Sequence, residues 1–185
     1  MRSTAHLSAG TLWLAIVHTA FVEVALLPAV VFLFGTTLVD ADIALRLVLK
    51  EQNHRRYLTH YLPFWVVVLA LSWLIGADLL LWLTVGISFH LLLDLIDWGL
   101  PLLPHHANSP LTPHLLPLPV DLYSERSFLM TYWQSKIIMT LEMMLLTGAL
   151  VGLLYLPPEL VLLVLGGMAL FWFLTLLEWR GLVHH

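Results

Sequence analysis

Long apolar stretches separated by short polar ones constrain the fold of this chain more than any other feature of its sequence. Hydrophobic residues occupy 60% of its 185 positions, charged residues only 11%, and the mean hydropathy is +0.90. Soluble domains carry about 25% charged residues. Inside a membrane each backbone polar group must be satisfied within the protein, which a helix does by itself. The composition therefore predicts an all-α polytopic membrane protein.

Five apolar segments are candidates for transmembrane helices, which need about 20 residues each. They cover residues 12–34, 63–75, 79–98, 137–156 and 160–177. The connections IGAD (75–78) and LPPE (156–159) are short and predict tight hairpins. We therefore expect one membrane domain over residues 1–185, a bundle of about five transmembrane helices.

Basic residues predict the orientation of the bundle. Five spans place seven of the eight lysines and arginines on one side, with Arg2 alone on the other. The seven are Arg46, Lys50, Arg55, Arg56, Arg126, Lys136 and Arg180. Because cytoplasmic loops carry an excess of Lys and Arg, this asymmetry predicts an N-terminus outside and a C-terminus inside. The proline- and histidine-rich loop over residues 100–135 is then cytoplasmic.

A polar stripe interrupts the third apolar segment. His90, Asp94 and Asp97 are spaced i, i+4, i+7 and fall within about 40° of one another on a helix. Each such group inside a membrane helix costs about 2.5–3.5 kcal/mol, so three on one face favour a cation as their partner. The alternatives are a stripe of hydrogen bonds between helices, or Asp97 reaching water at the interface. The chain has ten histidines and no cysteine, which restricts a metal site to nitrogen and oxygen ligands.

Two further polar groups flank the connection between the first two apolar segments. Asp40 and Asp42 form a D-x-D pair that can hold a cation, although such a pair at a membrane edge is commonly just solvated. The stretch HRRYLTH (54–60) precedes Pro63, which fits the first turn of a helix and leaves Thr59 placed to cap it. His54 and His60 are six residues apart, so a loop, and not one regular helix, brings them to one face. The alternative is that His54, Arg55, Arg56 and His60 only anchor this part of the chain at the membrane interface.

The order of these motifs matches a known pattern. The chain reads D-A-D at 40–42, H-R-R-Y-L-T-H at 54–60, F-H-L-L-L-D at 89–94 and G-L-P-L-L-P at 99–104. It thereby resembles the YdjM-like membrane-bound metal-dependent hydrolases, inner-membrane proteins with the motifs P-D-x-D-H, H-R-x-x-T-H-S and S-H-x-x-x-D followed by G-V-x-L-L-x-P. AHLSAG (5–10) matches the histidine near that family's N-terminus. The resemblance in order and spacing runs from Asp40 to Pro104, about a third of the chain, within the motif-bearing part, residues 38–106.

The chain departs from the family pattern at four positions. Val39 and Ile43 replace the Pro and His that flank the acidic pair, and Tyr61 and Phe89 replace two serines. The two histidines of the second motif are also one residue further apart, so either His54 or Arg55 takes the leading position.

The resemblance implies a metal-dependent hydrolase in which a divalent ion activates a water. The implied ion is zinc first, with manganese or iron as alternatives. Its implied ligands are Asp40, Asp42, His60, His90 and Asp94, with His54 or Asp97 as proton shuttle and Arg55 or Arg56 holding negative charge. The expected partners are membrane lipid and a phosphoester or lipid-like substrate at the cytoplasmic face of the inner membrane. Nucleic acid is not expected, because the chain has no dense basic patch.

Two other function classes compete with this interpretation, namely a cation or proton transporter and a catalytically silent membrane scaffold. A transporter places polar groups throughout the membrane depth, with broken helices near the midplane. In the predicted topology only His18, Glu23 and Glu142 lie deep, and each is explained by an interhelical hydrogen bond. The clustering of the other polar groups at one face favours the hydrolase.

Overall fold

The computed structural model describes residues 3–41, 58–97 and 135–183, and every regular element in these ranges is helical. The α-helices are α1 (Ser3–Ala20), α2 (Leu26–Leu38), α3 (Leu62–Leu74), α4 (Asp78–Asp97), α5 (Lys136–Gly152) and α6 (Pro158–Val183). Short 3₁₀ helices cover Val39–Ala41, Leu58–His60 and Leu153–Tyr155. The all-α prediction is confirmed for this part of the chain.

The helices form two compact units. The first contains α2, α3, α4 and the 3₁₀ helices at Val39–Ala41 and Leu58–His60. The second contains α1, α5 and α6 with the 3₁₀ helix at Leu153–Tyr155. The prediction of a single membrane domain over residues 1–185 stays a prediction.

In the first unit, two glycines bring the backbones of α2 and α4 into contact. A Cβ on Gly35 would collide with the carbonyl oxygen of Leu83, and one on Gly86 with the carbonyl oxygen of Phe32. Only glycine at both positions permits so close a crossing. The crossing lies one residue before Thr36 on α2 and four residues before His90 on α4, and so places these two residues beside each other.

Helices α3 and α4 pack against each other. A tight turn joins them, as the IGAD stretch predicts. Gly76 takes a left-handed conformation there, with φ 68°, directly after Ile75, the C-cap residue of α3. Glycine ends helices in this way because it has no Cβ to clash. At its other end α3 begins at Leu62, with Pro63 in the first turn, as the sequence predicts.

In the second unit, α1 packs against α5 and α6 through small residues. A Cβ on Gly152 of α5 would lie 3.1 Å from the Cβ of Ala15, and one on Gly167 of α6 would lie 3.2 Å from Leu7. Helix α5 begins after Ser135, whose hydroxyl accepts a hydrogen bond from the Ile138 N–H at 3.4 Å. Small-residue packing of this kind is typical of helices that associate within a membrane.

The first apolar segment is not one helix, and its prediction over residues 12–34 was wrong. Helix α1 ends at Ala20, α2 begins at Leu26, and the residues between them are not helical. Pro28 explains the break, because its ring would clash with the carbonyl of Val24 in a continuous helix. The Val24 N–H donates instead to Nδ1 of His18 at 3.1 Å.

Within the described residues, two helical stretches are long and apolar enough to cross a membrane by length and composition, namely Asp78–Ile96 and Lys136–Tyr155. At 1.5 Å per residue, about 20 residues span the roughly 30 Å hydrocarbon core. Shorter apolar helical stretches lie at Leu26–Leu38, Leu62–Leu74 and Pro158–Phe173.

Candidate metal centre

Four side chains from separate parts of the first unit converge on one buried cluster. Asp40 lies on the 3₁₀ helix after α2, His60 on the 3₁₀ helix before α3, and His90 and Asp94 lie one turn apart on α4. His60, His90 and Asp94 are fully buried, and the side chain of Asp40 is 9% exposed. We call these four residues the His/Asp cluster.

The ligand atoms of the His/Asp cluster are closely spaced. Nε2 of His90 lies 3.5 Å from Oδ2 of Asp94 and 3.7 Å from Oδ1 of Asp40. Nε2 of His60 lies 3.8 Å from the same Asp94 oxygen. Asp40, His60 and His90 each offer one ligand atom, and these three atoms lie within 4.8 Å of one another. These separations exceed the 2.7–3.2 Å typical of hydrogen bonds.

The donor set fits a divalent ion in both distance and charge. Two ligand atoms bound tetrahedrally at 2.0–2.1 Å lie about 3.3–3.4 Å apart, so the His90–Asp94, His90–Asp40 and His60–Asp94 pairs, at 3.5–3.8 Å, would need to approach by only a few tenths of an ångström. The atoms of Asp40, His60 and His90, which lie within 4.8 Å of one another, would have to close further. Two carboxylates carry two negative charges into a buried site, which is costly unless they are compensated. A divalent cation with two neutral imidazoles would bring the net charge to zero.

Backbone contacts orient His90. Nδ1 of His90 lies 2.8 Å from the carbonyl oxygen of Thr36, a distance at which the ring N–H donates to the carbonyl. In the neutral imidazole this hydrogen bond leaves Nε2 as the nitrogen without a proton, 3.5 Å from Asp94 and 3.7 Å from Asp40. Histidine ligands of metals usually donate their second ring N–H in this way, which fixes the tautomer and the ring orientation.

The segment that carries His60 is held by a different contact. The indole Nε1–H of Trp65, on α3, donates to the carbonyl oxygen of Thr59 at 2.7 Å. The prediction that Thr59 caps α3 was wrong, because Tyr61 is the N-cap residue and makes no side-chain capping hydrogen bond. The rings of His60 and His90 meet edge to face, with centroids 5.8 Å apart.

The structure brings together four of the five ligands that the resemblance implies. Asp42, the fifth, lies outside the described residues, as do His54, Arg55 and Arg56. Asp97 is the last residue of α4, and its side chain lies outside the described part. Their predicted roles stay predictions.

The three deep polar residues of the predicted topology, Glu142, His18 and Glu23, lie in the second unit. Glu142, with Thr4 and Ser8, borders a small cavity of about 20 Å³, roughly the room that one water needs. His18 accepts the Val24 N–H, and Glu23 is exposed in the break between α1 and α2. His6, the residue matched to the family's N-terminal histidine, is fully buried on α1.

Sequence reasoning missed two residues that support the cluster. Thr36 contributes through its backbone carbonyl, which any residue type could supply, so no sequence signal marks it. Trp65 contributes through its indole N–H, and its position six residues after Thr59 carries no recognised pattern.

Comparison with known proteins adds no further assignment. No protein-family model, curated protein or solved structure matches the chain. The functional argument therefore depends on the His/Asp cluster itself.

Proposed function

We propose that this protein is a membrane-embedded metal-dependent hydrolase whose metal centre is the His/Asp cluster. The observation that carries the proposal is the burial of two imidazoles and two carboxylates, with the His90–Asp94, His90–Asp40 and His60–Asp94 ligand atoms 3.5–3.8 Å apart. Mixed imidazole and carboxylate ligands suit zinc, and also manganese or iron. A divalent ion in such a site supplies a Lewis acid that activates water for hydrolysis.

The exposed surface of the helices supports a membrane location. Large apolar side chains are exposed on them, including Trp73 at 70%, Leu74 at 70% and Leu162 at 73%. Exposed apolar surface on this scale is rare in soluble monomers. With the two helical stretches of spanning length, it favours a protein that lies within a lipid bilayer.

The charges around the cluster favour a site at the cytoplasmic face of the inner membrane. Asp40 and His60 flank the connection that carries Arg46, Lys50, Arg55 and Arg56. Asp94 lies near the end of α4, before the loop with Arg126. The positive-inside rule then assigns this end of the helices to the cytoplasm, and this argument does not depend on whether residues 12–34 form one helix or two.

The exposed fraction of each side chain indicates its role in the cluster. His60, His90 and Asp94 are fully buried and would hold the ion. Asp40 also lies within the ligand set, and its side chain is the most exposed of the four, at 9%. A carboxylate in this position can accept a proton from an attacking water. A site at the membrane interface suits a phosphoester or an ester with an apolar tail.

Hydrolysis by the metal-loaded protein tests this proposal. Protein purified in detergent would be offered zinc, manganese or iron(II), together with chromogenic phosphomonoesters, phosphodiesters and carboxylic esters. We expect hydrolysis that chelation abolishes and that His90→Ala reduces by about 10²–10³-fold, because a catalytic metal contributes several kcal/mol to the barrier reduction.

Asp78→Asn is the matched control, since Asp78 lies in the first turn of the same helix as Asp94 and outside the cluster. It should leave the hydrolysis rate unchanged. Metal-loaded protein that hydrolyses none of the three ester classes, or a rate equal in wild type and His90→Ala, would contradict the hydrolase.

A further inference from the structure

Trp65 contacts the surroundings of the His/Asp cluster in two distinct ways. Its indole N–H donates to the carbonyl of Thr59, the residue directly before His60. Its ring packs against the buried apolar cluster of Val39, Ile87 and Leu91. Val39 directly precedes Asp40, and Leu91 directly follows His90.

The hydrogen bond is short and holds the 3₁₀ turn that carries His60. Its 2.7 Å length is at the short end of the range for N–H···O bonds. The residues it holds form a single 3₁₀ turn, Leu58–His60, directly before α3. Such a turn has weaker internal hydrogen bonds than an α-helix, so a side chain on the neighbouring helix contributes strongly to the position of His60.

The ring of Trp65 is itself held in place. It meets the ring of Phe64 edge to face, with centroids 5.1 Å apart, and it is half-buried near the N-terminus of α3. The indole therefore lies between the apolar side chains of Ile87 and Leu91 on α4 and the backbone carbonyl of Thr59. Because the indole is held by α3 and packs on α4, its hydrogen bond fixes the position of the 3₁₀ turn relative to these two helices.

We propose that Trp65 is a positioning residue of the metal centre, which holds His60 in register with His90 and Asp94 through the Thr59 carbonyl. This inference rests on the proposed metal centre and adds to it a residue that touches no ligand atom of the ion. One indole then does two things: its ring packs against the apolar residues next to Asp40 and His90, and its N–H holds the carbonyl next to His60. Outer groups that orient metal ligands typically change metal affinity by about 10–100-fold when they are removed.

The test uses Trp65→Phe, which keeps an aromatic ring and removes the N–H donor. Binding of Co²⁺ and Zn²⁺ to the full chain in detergent would be measured by titration, with the visible absorption of Co²⁺ reporting the ligand geometry. We expect Trp65→Phe to weaken metal binding about 10–100-fold and to alter the Co²⁺ spectrum. The control is Trp73→Phe on the same helix, because Trp73 is 70% exposed, and it should leave both readouts unchanged.

A double-mutant cycle with His60→Ala separates positioning from general structural support. If Trp65 acts through His60, adding Trp65→Phe to His60→Ala changes the remaining affinity by no more than about twofold. A loss in that background as large as in the wild type would show that Trp65 supports the fold in general, and would overturn the inference. An effect of Trp65→Phe no larger than that of Trp73→Phe would overturn it as well.

Two further measurements keep the outcome decisive. If Trp65→Phe does not fold, replacement of Trp65 by β-(3-benzothienyl)alanine retains both rings and exchanges only the N–H for sulfur, with the same expected loss. Failure of the wild-type chain to bind either ion would remove the metal centre and this inference with it. Wild-type binding that the Trp65 variants leave intact would remove this inference alone.

Discussion

His90→Ala is expected to remove the bound divalent metal from the purified protein. His90 is the most central member of the His/Asp cluster, since its Nε2 lies 3.5 Å from Asp94 and 3.7 Å from Asp40. Its loss deletes an imidazole ligand and leaves two carboxylates without that nitrogen between them. The affinity should fall by more than the roughly 10–100-fold typical of groups that only orient a ligand. Elemental analysis after metal loading and desalting measures this as one ion per chain in the wild type and none in the variant.

His18→Ala is the control for that comparison. His18 also lies in an apolar helix, and its Nδ1 accepts the Val24 N–H in the second unit. We expect this variant to retain one ion per chain. Equal metal content in His90→Ala and wild type would place the bound ion at other residues and contradict the assignment of the cluster.

Metal removal should lower the thermal unfolding midpoint of the wild-type protein. An ion that binds only the folded state stabilises it by about 2.7 kcal/mol at a free concentration of 100 times Kd. For a chain of this length, that corresponds to roughly 5–10 °C in midpoint. Asp94→Asn should abolish most of the shift, because it replaces the carboxylate whose Oδ2 lies within 3.8 Å of both histidine Nε2 atoms.

The comparison needs midpoints with metal and with chelator for each variant in the same detergent. Asp78→Asn, at the start of the same helix, should keep the full shift. A wild-type midpoint that is unchanged by chelation and by added metal would show that no ion stabilises the folded state. A shift that persists in Asp94→Asn would exclude that residue from the ligands.

Sequence reasoning succeeded where the relevant pattern is local. His90 and Asp94 were paired by their i, i+4 spacing, which places both side chains on one face of any α-helix. The beginning of α3 followed from Pro63, and the turn after it from the short IGAD connection. These features depend on the geometry of a few neighbouring residues, and that geometry hardly changes with the rest of the fold.

Other features depend on contacts between distant segments and could not be derived in this way. The approach of Asp40 and His60 to α4 was implied only by a family resemblance, because spacing along the chain does not fix the path of the connection. The close crossing at Gly35 and Gly86 depends on two glycines that the sequence alone does not pair. The break between α1 and α2 was missed because residues 21–25 are nearly as apolar as the helices they separate, so hydropathy outweighed the signal of Pro28.

X-ray absorption spectroscopy at the metal edge of the loaded protein identifies the ligands of the bound ion directly. We expect one ion per chain with a first shell of nitrogen and oxygen only, at about 2.0–2.1 Å for zinc, and outer-shell scattering from two imidazole rings. In His60→Ala the imidazole scattering should fall by half. A metal shell without imidazole, or an unchanged spectrum in His60→Ala, would contradict a centre built from Asp40, His60, His90 and Asp94.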